Sequence, residues 1–491
     1  MLIARRATFE RRAKGNVLVK TRLIALCCIL ALLASACGSR LSDDELATGG
    51  GTGGGGAAGA SSGSATDGPG ITKGKTADEG PMVGTLPVPC GMAADGKAST
   101  KAPATAVPGV TADAIKIAVI SDRAGQVKVP TISIEESMKA FVGFCNEFGG
   151  INGRKLELTT IDSKLFNHLE ATKDACNAGV FAIVGSGSVT DNSGAQAMVD
   201  CGLIEVPAYT VTAAKSLSDR LVAPLPNPTN AINVGPARFI KKEHPKAIKK
   251  AAILHGGIDA IDIQAGRLKK AYEAEGFDFT YDKRTGVIQE SYTSEVKAMK
   301  DAGVEYLTMV SATSEITKVL RDMKTQGFDP EVVDLGQQYY DPDLLAEPGA
   351  EGALVQLNTV PFEEEKQSPA LQAYLAAYDK VEGDKPAPTS LGVQSYSAGL
   401  LFATAAKSAG PDLTRDSVLA ELKKIKKWDG GGLHFTSDPG DNSVSTCFMY
   451  DEVKGGKFVR FTPKKATEFT CDEDYAFDLK NDYGGGAKVG G

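Results

Sequence analysis

Hydroxyl side chains gather at two places in the chain. Ser186, Ser188 and Thr190 fall in the turn after the apolar run Phe181–Gly185, and Tyr209, Thr210 and Thr212 follow the next run, Leu203–Ala208. A turn that opens a helix presents free backbone N–H groups, and hydroxyls beside them complete a cradle for an anion. Gly185 and Gly187 let a ligand approach the backbone closely. Helix capping by Ser and Thr accounts for the same residues without a ligand, so both readings stand at this level. Catalytic chemistry finds less support. The chain has no GxxxxGK[ST] and no GxSxG, and GSGSVT at 185–190 lacks the third glycine of a dinucleotide fingerprint. His168, His244, His255 and His434 stand apart from one another and from any Ser, Cys or carboxylate constellation. Neither a nucleophilic centre nor a His-rich metal site is indicated, and no cofactor is expected.

The elements that must position these residues follow from the chain's organisation. With 491 residues, two or three domains are expected, and a 42% hydrophobic content can fill their cores. A net charge of −7, 7% aromatic residues and a single Trp argue against a nucleic-acid surface. Residues 1–36 read as a signal peptide: a basic start, the apolar run Leu23–Leu33, then Ala34-Ser35-Ala36 before Cys37. The run is too short to span a bilayer permanently. Small residues ending at Cys37 resemble a bacterial lipobox, which makes Cys37 the lipidated mature N-terminus and places the protein outside the cell membrane. An ordinary signal peptidase site beside a chance Cys remains the alternative. Residues 37–111, with GGGTGGGGAAGASSGS at their heart, predict a disordered tether, because such a composition buries too little apolar surface to offset its ordering entropy. Residues 476–491 predict a disordered tail.

Six further cysteines fit an oxidising compartment. Cys176 closes a helical segment and Cys201 precedes a strand in the neighbouring unit, so these two are expected to pair. Cys447 and Cys471 flank a hairpin-like stretch and are expected to pair as well, which leaves Cys90 and Cys145 as the remainder; free buried thiols at several of the six are the alternative.

From Ala112 onward, short β-branched runs such as Ile115–Ile120 alternate with helical patterns. Ile134, Met138, Phe141, Cys145 and Phe148 mark one face of a 3.6-period helix stopped by Gly149-Gly150. Apolar strands alternating with helices imply parallel sheets covered on both faces. A second such series begins after the Pro- and Asn-rich stretch 223–233. The expected fold is α/β, with two Rossmann-like lobes: 112–232 plus 360–432 as lobe I, and 233–359 plus 433–475 as lobe II. Ligands of open parallel sheets bind beyond the strands' carboxyl ends, so two such sheets make a cleft between lobes.

Phe141–Leu158 (FVGFCNEFGGINGRKLEL), Phe181–Ser188, Ile204–Thr212, Gly352–Pro361 and Pro388–Ala406 together resemble the type I periplasmic solute-binding proteins of the branched-chain amino acid transporter group. The resemblance covers roughly residues 112–471. It implies a periplasmic-binding-protein-like I fold with about three crossover strands as a hinge, closing on a small solute that is delivered to an ABC permease. It also implies that the loops at 186–190 and 209–212 clamp a ligand carboxylate, with Thr212 on the family's binding Thr. The second lobe departs from the pattern. Gly336-Gln337-Gln338 carries an amide, Gln338, where the amino acid binders carry an ammonium-pairing carboxylate, and GGIDAIDIQ lacks the family's aromatic gate. Asp122 or Asp259 could supply the charge, since a buried ammonium without an anion is costly. A ligand without an ammonium is the other solution. The expected protein is a monomeric, lipid-anchored importer component that binds an amino acid, amide or small organic acid. A ligand-sensing receptor subunit on the same fold is the alternative, and an enzyme the more remote one.

Overall fold

Apolar runs buried on both faces make the centre of two separate sheets. A computed structural model describes residues 68–75, 80–92, 103, 105–125, 131–480 and 483. The described residues form one compact unit, and the expected signal peptide and Cys37 lie outside them.

The described chain opens with a small antiparallel sheet, β1 (Ile71–Lys73), β2 (Pro81–Val83) and β3 (Leu86–Pro87). This corrects the expectation of a disordered tether to residue 111. Val83 and Val88 are buried in lobe I, and Cys90 is bonded to Cys145. Two apolar anchors and one covalent link order a segment whose composition alone reads as unstructured.

Lobe I follows: β4 (Ala114–Ser121), α1 (Ile132–Glu147), β5 (Lys155–Asp162), α2 (His168–Asn177), β6 (Ala182–Val184), α3 (Asn192–Asp200), β7 (Ile204–Val206) and α4 (Ala213–Ser216). Its strands run parallel in the order β5-β4-β6-β7. A disulfide joins Cys176 at the end of α2 to Cys201 just past α3. The chain then enters lobe II through β8 (Ala231–Asn233), α5 (Gly235–Glu243), β9 (Ala251–His255), α6 (Asp259–Ala274), β10 (Phe279–Arg284), α7 (Thr293–Asp301), β11 (Tyr306–Val310), α8 (Thr313–Gln326), β12 (Val332–Leu335), α9 (Pro342–Leu345) and β13 (Leu354–Leu357).

It returns to lobe I for α10 (Pro369–Asp379), α11 (Ser390–Ala409) and α12 (Arg415–Lys424). Helix α11 is buried along nearly its whole length against α1 and the sheet. It packs closely on α1 at Gly399, where an added Cβ would lie 2.4 Å from the Phe141 ring. Finally β14 (Cys447–Lys454), β15 (Lys457–Thr462) and β16 (Thr470–Cys471) complete lobe II, with the Cys447–Cys471 disulfide between facing residues. The lobe II sheet runs β10-β9-β11-β12-β13-β14-β15, parallel up to β13 and antiparallel beyond.

The expected disordered tail instead begins with β17 (Ala476–Asp478), which pairs with β8. Tyr475, Phe477 and Leu479 alternate toward the lobe II core, and Leu479 is fully buried. Alternation of that kind drives a strand.

Three segments connect the lobes, near residues 223–231, 357–369 and 428–447. Thr359 bridges His434, Val360 N–H donates to the Leu433 carbonyl at 2.9 Å, and Leu225, Phe435 and Cys447 form a small core of their own. His434 belongs to this frame. Burial lowers its pKa to about 4, its Nδ1 donates to the Phe435 carbonyl at 2.8 Å, and its Nε2 accepts from Ser397 at 2.8 Å.

Beside these segments, on β14, Asp451 is buried with no hydrogen-bond partner for either carboxylate oxygen among the described residues. Burial, with Glu363 nearby, raises its pKa from 3.8 to about 7, against the pull of Arg460. A carboxyl whose folded pKa is raised keeps a proton that the unfolded chain has released. Its stabilising effect is therefore present at low pH and lost as pH rises from about 4 to about 7. Asp451→Asn is expected to flatten that dependence and to stabilise the protein at pH 8 by about 1–3 kcal/mol. Denaturant titrations of both proteins at pH 5 and pH 8 measure the difference.

Candidate functional site

Three buried carboxylates organise the carboxyl ends of the lobe I strands. Asp122, one residue past β4, accepts hydrogen bonds from Ser163 Oγ at 2.6 Å, Ser188 Oγ at 2.9 Å, Leu165 N at 3.1 Å and Val189 N at 2.7 Å. Asp191 accepts from Val211 N at 2.8 Å, Thr212 N at 3.2 Å and the Thr212 hydroxyl. Burial raises the Asp191 pKa to about 7, while its Thr212 and Val211 donors work in the opposite direction. Glu205 on β7 accepts from the Ser186 hydroxyl and pairs with Lys215, both partners being buried. Each carboxylate is fully enclosed, and each ties one loop to another. Breaking such a buried pair by removing one partner typically costs about 3–5 kcal/mol.

Beyond these loops lies a cavity of about 330 Å³ bordered by both lobes. That volume is near the lower end of ligand-site sizes, roughly 300–1,000 Å³. Lobe I contributes Leu165, Val189, Tyr209, Thr210, Asn227 and Leu391 among others. Lobe II supplies most of the rest. Ile258, Ile261, Gln264, Leu268 and Tyr272 face in from α6 and the turn before it, and Thr308, Asp334 and Gln356 from β11, β12 and β13. In register, Thr308 sits opposite Asp334, and Asp334 opposite Leu354, two residues before Gln356, so all three share the sheet face toward the cavity. Tyr306 and Tyr450 donate their hydroxyls to the two oxygens of Asp334 at 2.7 and 2.9 Å. Burial outweighs those donors and raises its pKa to about 6.

Two amides bridge the lobes directly. Gln264 Nε2 donates to the Val211 carbonyl at 2.6 Å, and Gln394 Nε2 on α11 donates to Gln337 Oε1 at 2.8 Å. Arg267 supports the first bridge from behind, donating to Gln264 Oε1 at 2.8 Å and Asn227 Oδ1 at 3.2 Å. Asn227 in turn donates to the Thr210 carbonyl at 3.1 Å.

Of the residues singled out from sequence, Tyr209, Thr210 and Gln338 line this cavity. Gly187 lets the Tyr209 ring lie close, since an added Cβ there would be 2.2 Å from Tyr209 Cε1. The other hydroxyls are displaced from the expected role. Ser186 and Ser188 are turned to Glu205 and Asp122, Thr190 donates to the Leu165 carbonyl, and Thr212 is held by Asp191 as N-cap of α4; none of the four lines the cavity. Asp122 is not on the cavity wall, and its oxygens accept from four donors. Asp259 is fully exposed at the start of α6, where it pairs with Arg284 at 3.4 Å.

Sequence reasoning passed over Asn227, Gln264, Thr308, Asp334, Gln356 and Leu391. The available signal was a lone polar residue inside an apolar buried strand: Thr308 in YLTMV, Asp334 in VVDL, Gln356 in LVQL.

Two α/β lobes, three connecting segments and a cavity between them are the architecture of the two-lobed solute-binding proteins. The chain belongs to the periplasmic binding protein family, whose description matches residues 114–457. Solved structures show the same fold at low identity. The isoleucine complex of the branched-chain amino acid transporter substrate-binding protein LivJ from Streptococcus pneumoniae is 16% identical, with a TM-score of 0.59 over 72% of this chain and 100% of that one. The 4-hydroxybenzoate complex of an R. palustris ABC transporter solute-binding protein is 17% identical, with a TM-score of 0.61 over 74% and 98%. A fatty acid ABC transporter substrate-binding protein from Thermomonospora curvata is 19% identical, with a TM-score of 0.61 over 79% and 97%. No curated protein matches in sequence.

Thr212→Ala removes a hydroxyl donor to a buried carboxylate and not a cavity contact. It is expected to destabilise the protein by about 1.5–3 kcal/mol while leaving solute affinity within about threefold. Denaturant unfolding and calorimetric titration of the same variant separate the two.

Proposed function

We propose that the chain is the solute receptor of an ABC importer, exported and anchored to the outer face of the cell membrane through a lipid on Cys37. It acts as a monomer, takes up a small amphipathic solute of the amino acid, amide or small organic acid type between its lobes, and presents it to a permease. The observation that carries this reading is the cavity walled by both lobes and bridged by Gln264 to Val211 and by Gln394 to Gln337. A solute touching both walls adds its contacts to those bridges and so favours the closed arrangement, by no more than its differential affinity for it. The structural relatives, which include an isoleucine complex and a 4-hydroxybenzoate complex, support the breadth of solute chemistry allowed here. No helix among the described residues is long and apolar enough to cross a membrane.

A thermal-shift screen of the full chain identifies solutes, since a ligand at a hundredfold excess over Kd stabilises by about 2.7 kcal/mol. Any solute found in this way is expected to reduce the radius of gyration in small-angle scattering, and to do so less in a Gln264→Ala/Gln337→Ala double variant, whose affinity should fall about tenfold, or 1.4 kcal/mol. A saturated protein with an unchanged radius would defeat the reading. Cys37→Ser is expected to move the expressed protein from the membrane fraction to the soluble exported fraction; retention at the membrane would remove the lipid from the proposal.

A further inference from the structure

The charges around the cavity say more about the solute than its size does. Among the described residues, Asp334 is the only Asp, Glu, Lys, Arg or His on its wall. Both Asp334 oxygens already accept from tyrosine hydroxyls. Most donors of the loops that sequence marks as an anion cradle, and those of the loop after β5, are turned inward. Val189 N, Leu165 N, Ser188 Oγ and Ser163 Oγ are directed to Asp122, and Val211 N and both donors of Thr212 to Asp191. The protein's own carboxylates thus hold most of the donors of these loops, and among the described residues no Lys, Arg or His stands on the wall to receive a ligand carboxylate. An anion entering there would lose its water and find no cationic partner on the wall among the described residues. An ammonium would be desolvated against a single carboxylate whose oxygens each already accept one tyrosine hydroxyl, a poor exchange for several kcal/mol of hydration.

What the wall does offer is apolar area and uncharged polar groups. Ile258, Ile261, Leu268 and Met309 supply the area. At the lobe II sheet, Thr308 is buried, and no hydrogen bond within the protein engages its hydroxyl or the Gln356 amide among the described residues. A hydroxyl donates and accepts, and a primary amide does both at separate atoms. These are partners for a neutral group of the same kind.

We infer that the solute is uncharged and largely apolar, with a hydroxyl or carboxamide end seated at Thr308 and Gln356, and that free amino acids and carboxylates are excluded. This narrows the solute class of the receptor reading and rests on it.

The test is a matched series on the full chain by calorimetric titration: hexanamide, 1-hexanol, hexanoate, hexylammonium and leucine. The expected result is binding of hexanamide or 1-hexanol at least tenfold tighter than the three charged probes, with Gln356→Leu/Thr308→Val removing most of that preference while leaving the unliganded melting temperature nearly unchanged. Tighter binding of hexanoate, hexylammonium or leucine overturns the inference and leaves the receptor reading intact. Failure of both neutral probes to bind at millimolar concentration also overturns it. A preference that survives the double variant removes Thr308 and Gln356 as the seat and overturns the inference in that form. Binding without any fall in the scattering radius counts against the receptor reading itself, whichever probe binds.

Discussion

A carboxylate removed from water must find donors, and in this protein that requirement fixes the geometry of the cleft. Asp122 draws together the ends of β4 and β5 and the loop after β6, and Asp191 draws the loop after β7 onto the start of α3. Glu205 and Lys215 fasten the same region from below. Because every loop is tied through a buried charge, no loop can shift without leaving that charge short of donors, a penalty larger than most single contacts. The lobe I side of the wall is shaped by these ties.

Much of the architecture is legible in the sequence because the forces that build it are periodic. The α1 face at Ile134, Met138, Phe141 and Cys145 is buried as its spacing predicts, and the apolar runs of β4, β6 and β7 sit in a parallel sheet. Where short-range pattern is weak, reading fails. The segment 71–90 has too few apolar residues to announce itself, and its order depends on Cys145, 55 residues away from Cys90 in sequence. The stretch 475–479 does alternate, but over so few residues that Gly-rich neighbours mask it.

The site divides along a similar line. Tyr209, Thr210 and Gln338 reach the cavity because strand ends of a parallel sheet point there whatever the details. Whether a serine in such a loop faces a ligand or a carboxylate is set by residues distant in sequence. Ser188 lies 66 residues from Asp122, and Thr212 lies 21 from Asp191. Nothing local to Ser188 or Thr212 distinguishes the two outcomes. Asp259 shows the reverse case: a carboxylate in the right neighbourhood, on the solvent side of its helix.

The covalent cross-links have a mechanical consequence. Cys90–Cys145 and Cys176–Cys201 each close within lobe I, and Cys447–Cys471 closes at the edge of lobe II, so among the described residues no disulfide straddles the joint. Oxidation hardens the jaws and leaves their pivot free.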